Sequence, residues 1–200
     1  MSDFVQFLES LPPGLCYILI TAFAAVENVF PPVPADMAIA LGAFLAGRGR
    51  LDAWTVFALT WSANCASGAI VYALARRYGR SLFRGILGEK LFSEATVAHI
   101  ERVYERYGSY GIFLSRLLPV WRSVVMPFAG IAHISAPRAL IPLVLASGVY
   151  YGILTAFVST LGTNWDDVAR VLGRVNTVLA VLAAIPVVLF AVWAVRRLKR

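Results

Sequence analysis

The chain has 200 residues, of which 60% are hydrophobic and only 14% charged, and its mean hydropathy is +0.74. Soluble domains carry roughly 45 to 50% apolar residues, so this composition excludes an ordinary soluble globule and indicates an integral membrane protein. The net charge is +7, but the 18 Lys and Arg begin only at Arg48 and gather at 76–106 and 196–200, flanking apolar spans as cytoplasmic anchors do rather than forming a nucleic-acid surface.

The opening MSDFVQFLES lacks the positive start and small-residue cleavage site of a secretory signal, so the sequence reads as mature from its first residue. Residues 10–47 hold two apolar runs, 10–26 and 37–47, separated by ENVFPPVPAD, which places Pro31, Pro32 and Pro34 between Glu27 and Asp36. Short apolar pieces do not cross a hydrocarbon core about 30 Å thick, which needs about 20 residues. Broken backbone at membrane depth survives only where it is buried in protein or lines a wet cavity, so 10–47 is expected to be a re-entrant hairpin.

Residues 53–75 contain no charged residue and are long enough to span. The stretch 89–107 reads as an amphipathic helix at the cytoplasmic interface, with Phe92, Ile100, Val103, Tyr104 and Tyr107 on one face. Residues 108–137 repeat the hairpin pattern around RLLPVWR. Residues 139–165 and 175–195 are again uncharged and span-length. Putting the basic clusters in the cytoplasm makes the first hairpin dip from outside and the second from inside, with a cytoplasmic C-terminus. Trp54 and Trp165 then mark the outer boundary and Trp193 the inner one.

An internal echo fits this arrangement. ASGAIVYAL at 66–74 resembles ASGVYYGIL at 146–154, and each follows a proline-containing hairpin. The expected fold is an all-α polytopic membrane protein occupying 1–200 as a single domain. It consists of inverted repeats, each a re-entrant hairpin plus a transmembrane helix, with an interfacial helix and a C-terminal transmembrane helix added. Gly148 and Gly152 form a small-xxx-small pair that would admit a neighbouring helix.

Four ionisable residues lie in or beside the hairpins: Glu27, Asp36, Arg116 and Arg122. Each costs roughly 2.5 to 3.5 kcal/mol if left facing lipid, so they should face inward and one another. On an unbroken helix the six residues from Arg116 to Arg122 turn the chain through about 600°, and the two side chains diverge. Pro119 lets the chain turn and brings both guanidiniums toward one point. Two converging guanidinium forks suit a phosphate, while Glu27 and Asp36 are candidate proton sites. The competing expectation is that the four charges form permanent structural pairs, Glu27 with Arg122 or Asp36 with Arg116.

Asn64 is a candidate cavity-lining residue, and it, Ser67 and Ser147 can bond between helices. Cys16 and Cys65 sit in apolar runs as small hydrophobes. His99 and His133 are weaker candidates for proton relay. The chain carries no CxxC, HExxH, GxSxG or phosphate-cradling glycine loop, so metal, hydrolase and nucleotide readings lack their usual marks, and no cofactor is expected.

ENVFPPVPAD followed by GAFLAG, and SRLLPVWRSVVMPFAGIAHIS with its Arg, Pro and Arg, resemble the DedA family of bacterial inner-membrane proteins over about residues 27–154. The resemblance implies lipid transport without enzymatic turnover, with undecaprenyl phosphate as the first substrate, phosphatidylethanolamine as an alternative, and dependence on the proton-motive force. It puts the family's paired acids on Glu27 and Asp36 and its paired arginines on Arg116 and Arg122. The partners implied are a membrane lipid and protons, with a homo-oligomer possible. The alternatives are a non-selective scramblase, a lipid-phosphate phosphatase, and a membrane assembly protein.

Overall fold

The computed structural model describes residues 10–29, 35–79, 108–118, 121–161, 165, 167–174 and 177–178. The expected interfacial helix at 89–107 and the expected C-terminal span at 175–195, apart from residues 177 and 178, lie outside them, as do Pro31, Pro32, Pro34, Pro119 and Trp193.

The described residues form helices and turns, with no strand among them. In chain order the helices are α1 (Pro13–Val26), α2 (Ala35–Gly47), α3 (Ala53–Tyr78), α4 (108–117), α5 (Arg122–Ile131), α6 (Ala136–Leu161) and α7 (167–174). Only α3 and α6, with 26 residues each, are long and apolar enough to cross a membrane. At 1.5 Å per residue each is about 39 Å long, whereas α1, α2 and α5, with 14, 13 and 10 residues, reach only about 21, 20 and 15 Å. Large apolar side chains point outward, among them Ile18, Ile70 and Ile153, each at least 59% exposed, while Glu27, Asp36, Asn64, Arg116, Arg122 and Ser147 are buried. A water-soluble fold shows the opposite distribution.

α3 starts on a local device. Asp52 caps it, its carboxylate accepting from the Thr55 hydroxyl and the Thr55 N–H, each at 2.7 Å. Those bonds, the hydroxyl first, hold the Asp52 carboxyl below the usual carboxylate range. The helix runs past the apolar span to place Arg76 and Arg77 in its last turn, where cations favourably meet the negative end of the helix dipole.

α3 and α6 run antiparallel. Gly68 faces Leu143, Asn64 bonds Ser147, Trp61 donates to the Val144 carbonyl at 3.0 Å, and Phe57 lies against Gly152. The expected helix approach at Gly148 and Gly152 is instead filled by side chains. Trp61 and Phe57 of α3 stack with ring centroids 5.8 Å apart, and these two glycines leave room for their rings. Trp165, expected at a lipid boundary, is buried edge-on against Phe44 at 5.5 Å, because α2 brings an apolar partner beneath it.

The shorter helices occupy opposite halves of this frame. Tyr17 of α1 accepts from the Asp52 N–H at 2.8 Å, beside the start of α3, and seven residues later the Ala24 carbonyl accepts from Asn64 at 3.3 Å, near the middle of α3. α2 then returns, with Gly42 against Ile20 and Gly47 against the Ser159 backbone. α4 begins at the other end, where the Ser109 hydroxyl donates to the Arg138 carbonyl at 3.2 Å. Pro142 has no N–H to occupy that carbonyl. α5 leaves the centre at Arg122 and ends against Tyr72 and Arg76, which both donate to the Ile134 carbonyl, at 2.5 and 2.8 Å.

The echo between 66–74 and 146–154 has a physical counterpart. Ser67 accepts from Asn28 at the tip of the first helix pair at 2.8 Å, and the matching Ser147 accepts from Arg116 at the tip of the second at 3.2 Å. Each long helix uses the same serine to hold the tip that precedes it.

The α3–α5 contact needs Gly130. A Cβ there would collide with the Tyr72 carbonyl and would lie 2.6 Å from Ala75 Cβ and 2.9 Å from the Arg76 nitrogen. Gly130→Ala is expected to destabilise the fold by about 1–3 kcal/mol. Gly173→Ala, in helix α7 with nothing within 4 Å of the added carbon, should instead stabilise by up to about 1 kcal/mol. Thermal unfolding in detergent compares the two.

Candidate functional site

The chain turns at the end of α1 and at the start of α2, and these two places carry the acids. Glu27 is the last residue of the α1 turn and Asp36 lies in the first turn of α2. Arg116 stands near the end of α4, and Arg122 opens α5. All four residues are at most 7% exposed, and the structure brings them into one cluster at mid-length of α3 and α6.

Arg122 takes both acids. Its Nε pairs with Glu27 Oε1, and its Nη2 donates to Asp36 Oδ1 at 2.5 Å. Its guanidinium carbon lies 4.5 Å from the Tyr150 ring centroid and 5.9 Å from that of Tyr151, within cation–π range. Tyr151 also donates to Glu27 Oε2 at 2.8 Å, so both carboxylate oxygens of Glu27 are engaged.

Among the described residues Arg116 has no carboxylate partner. Its Nη1 donates to the Arg122 carbonyl at 2.8 Å, and its Nη2 to Asn64 Oδ1 at 2.9 Å and to Ser147 Oγ at 3.2 Å. Asn64 is the hub beneath it. Its oxygen also accepts from Ser147 at 2.9 Å, and its nitrogen donates to Ala24. Its own backbone carbonyl accepts from Asn28 at 3.1 Å. Arg116 Nε and Arg122 Nη1 are buried without a hydrogen-bond partner among the described residues. Buried guanidinium donors left open cost free energy that an incoming acceptor would recover.

Of the expected site residues, Glu27, Asp36, Asn64, Arg116 and Arg122 thus share one network, while Pro31, Pro32 and Pro119 lie outside the described residues. The pairing expected between Asp36 and Arg116 is absent among the described residues. Tyr150, Tyr151 and Asn28 belong to the network and were not singled out from the sequence. The signal available for the tyrosines was the adjacent pair itself, since a buried Tyr hydroxyl needs a partner. Tyr110, Phe113, Ile141, Pro142, Leu145 and Ser109 line a groove of about 280 Å³ between α4 and α6. It opens on the apolar surface, and Phe113 lies one turn before Arg116.

Apolar outside, charged inside, with half-length helices meeting between two span-length ones, this is an all-helical membrane protein. The VTT domain family model matches residues 33–160. The chain therefore belongs to the VTT-domain family, the DedA family of bacterial membrane proteins. An alkaline phosphatase-like protein of Lactococcus lactis is 25% identical, covering 84% of this chain and 81% of its own. An uncharacterised membrane protein of Mycobacterium tuberculosis is 28% identical over 92% of this chain and 86% of its own. Undecaprenyl phosphate transporter A of Bacillus subtilis is 24% identical over 84% of this chain and 85% of its own. No solved structure matches the chain.

Proposed function

We propose that this protein is a proton-coupled transporter that moves a phosphate-bearing lipid between leaflets, with undecaprenyl phosphate as the favoured substrate. The observation that carries the reading is the buried cluster in which Arg116, paired with no carboxylate among the described residues, stands beside Arg122, which is held by two acids. A phosphate has the oxygens to satisfy the open donors of both guanidiniums. The relative from Bacillus subtilis, named an undecaprenyl phosphate transporter, supports this substrate class.

In this reading α1 with α2, and α4 with α5, are re-entrant hairpins that enter from opposite leaflets and meet at the midplane. Both begin and end beside one end of the α3–α6 pair, which is what re-entry requires. The head group enters the cluster while its hydrocarbon tail stays in lipid along the apolar surface. Draining of charge from Arg122 toward the phosphate frees an acid to bind a proton, and rocking of the two repeats exposes the site to the other face. The protein sits in the bacterial inner membrane with its C-terminus in the cytoplasm, as the distribution of Lys and Arg favours.

Head-group-resolved flipping in proteoliposomes, with and without an imposed proton gradient, tests this. Movement of polyprenyl phosphate that exceeds that of phosphatidylethanolamine and responds to the gradient is expected. Equal movement of all head groups with no response to the gradient would replace the reading with a scramblase. The name of the Lactococcus lactis relative motivates a second reading, a lipid-phosphate phosphatase, for which release of inorganic phosphate would be decisive.

A further inference from the structure

We propose that the four buried charges divide into a fixed pair and an exchanging pair. Asp36 remains the permanent counter-ion of Arg122, while Glu27 takes up one proton for each lipid phosphate that Arg116 receives. The proposal rests on the lipid-phosphate reading above and assigns the acids different work within it.

Charge balance comes first. Among the described residues the buried carboxylates and guanidiniums are Glu27, Asp36, Arg116 and Arg122, two of each sign, so the resting cluster is neutral. A phosphate entering this low-dielectric space adds negative charge with nothing to offset it, which is costly. One proton on one acid removes one unit of that excess.

Backbone geometry decides which acid. Glu27 caps the C-terminal end of α1, its N–H bonded to the Phe23 carbonyl, where the negative end of the helix dipole disfavours a negative charge. Asp36 lies in the first turn of α2, where the positive end of the dipole favours one. Both effects act in the same sense.

The hydrogen bonds agree with this division. The groups facing Glu27 are Arg122 from α5, Asp36 from α2, Tyr150 and Tyr151 from α6 and Arg116 from α4. A protonated Glu27 keeps a partner, because the Tyr151 hydroxyl at 2.8 Å can either donate or accept. Arg122 is not stranded when Glu27 becomes neutral, since its Nη2 stays on Asp36 at 2.5 Å. Neutralising Asp36 instead would leave Arg122 leaning on the carboxylate at the unfavourable helix end. Arg116, bonded among the described residues to Asn64, Ser147 and a backbone carbonyl, can turn to an anion without breaking an ion pair among them.

The test uses the full chain in phosphatidylcholine vesicles containing a polyprenyl phosphate, with a trapped pH dye counting protons and a surface-accessibility assay counting lipid. Glu27→Gln is expected to move one proton fewer per lipid than the parent and to lose its response to an imposed pH gradient. Asp36→Asn should keep the parent's proton count per lipid while its rate falls at least tenfold. A parent and Glu27→Gln with equal proton counts, or a loss of the proton in Asp36→Asn alone, would overturn the division. A parent that moves no lipid phosphate would instead sink the transport reading beneath it.

A spectroscopic readout does not depend on those variants folding. Adding the polyprenyl phosphate to the parent should raise a protonated-carboxyl infrared band. The band should shift in Glu27→Asp and stay in place in Asp36→Glu, and the reverse pattern contradicts the proposal.

Discussion

Replacing Arg122 by leucine is expected to destabilise the folded protein by about 3–5 kcal/mol, as is usual when one partner of a buried ion pair is removed. Two carboxylates depend on this one guanidinium. Glu27 pairs with its Nε and Asp36 with its Nη2, and both acids are at most 7% exposed. Without Arg122 they would face each other with Arg116 as the nearest cation, and Arg116 is already committed to Asn64 and Ser147. The Tyr150 and Tyr151 rings would lose the cation that they flank.

Thermal unfolding in detergent measures the loss. The triple variant Glu27→Gln, Asp36→Asn, Arg122→Leu separates the sources, because it removes the buried charges together. Recovery of most of the lost stability would show that stranded carboxylates were responsible. A triple variant as unstable as the single one would place the cost in lost packing around the tyrosines.

The four charges were legible in the sequence because each is ionisable in a chain otherwise too apolar to tolerate it, and the prolines between them announced a backbone break. The matched serines at 67 and 147 were visible in the same way, as one short pattern occurring twice. The partners of the charges were legible only in part: Glu27 with Arg122 was one of the expected pairs, whereas Asp36 on the same guanidinium was not. Nothing local to residue 122 says that it holds both acids, since Glu27 and Asp36 are brought to it by the return of α2 after the turn, a distance of 86 residues for Asp36.

Tyr150 and Tyr151 escaped notice for a related reason. On an apolar span, an aromatic residue serves equally well against lipid or against a cation, and only the arrival of Glu27 and Arg122 beside α6 decides. Gly148 and Gly152 were read as a seat for a helix backbone, yet Trp61 and Phe57 take that space. A small residue records that something large approaches and leaves its identity open. Trp165 shows the same limit, since the residue that buries it, Phe44, lies 121 positions earlier.

Arg116→Ala should behave differently from the Arg122 variant. Removing this guanidinium leaves Asn64 and Ser147 still bonded to each other at 2.9 Å, with Asn64 still donating to Ala24. It also leaves the acids on Arg122. The stability cost is therefore that of its charge-assisted hydrogen bonds and of one negative charge left unbalanced in the cluster, about 2–3 kcal/mol. Transport should suffer far more. Charge-assisted bonds to a phosphate contribute about 1.5–3 kcal/mol each, so losing them should slow the movement of lipid phosphate by roughly 10- to 150-fold, at about 1.4 kcal/mol per decade. Arg116→Lys keeps the charge but loses the planar fork, and should recover only part of that rate. Flipping in proteoliposomes, set beside unfolding of the same preparations, gives both numbers. A stable Arg116→Ala protein that moves lipid phosphate as fast as the parent would mean that the cation without a carboxylate is a structural tie between α4, α5 and the two long helices, and that the anion is received elsewhere.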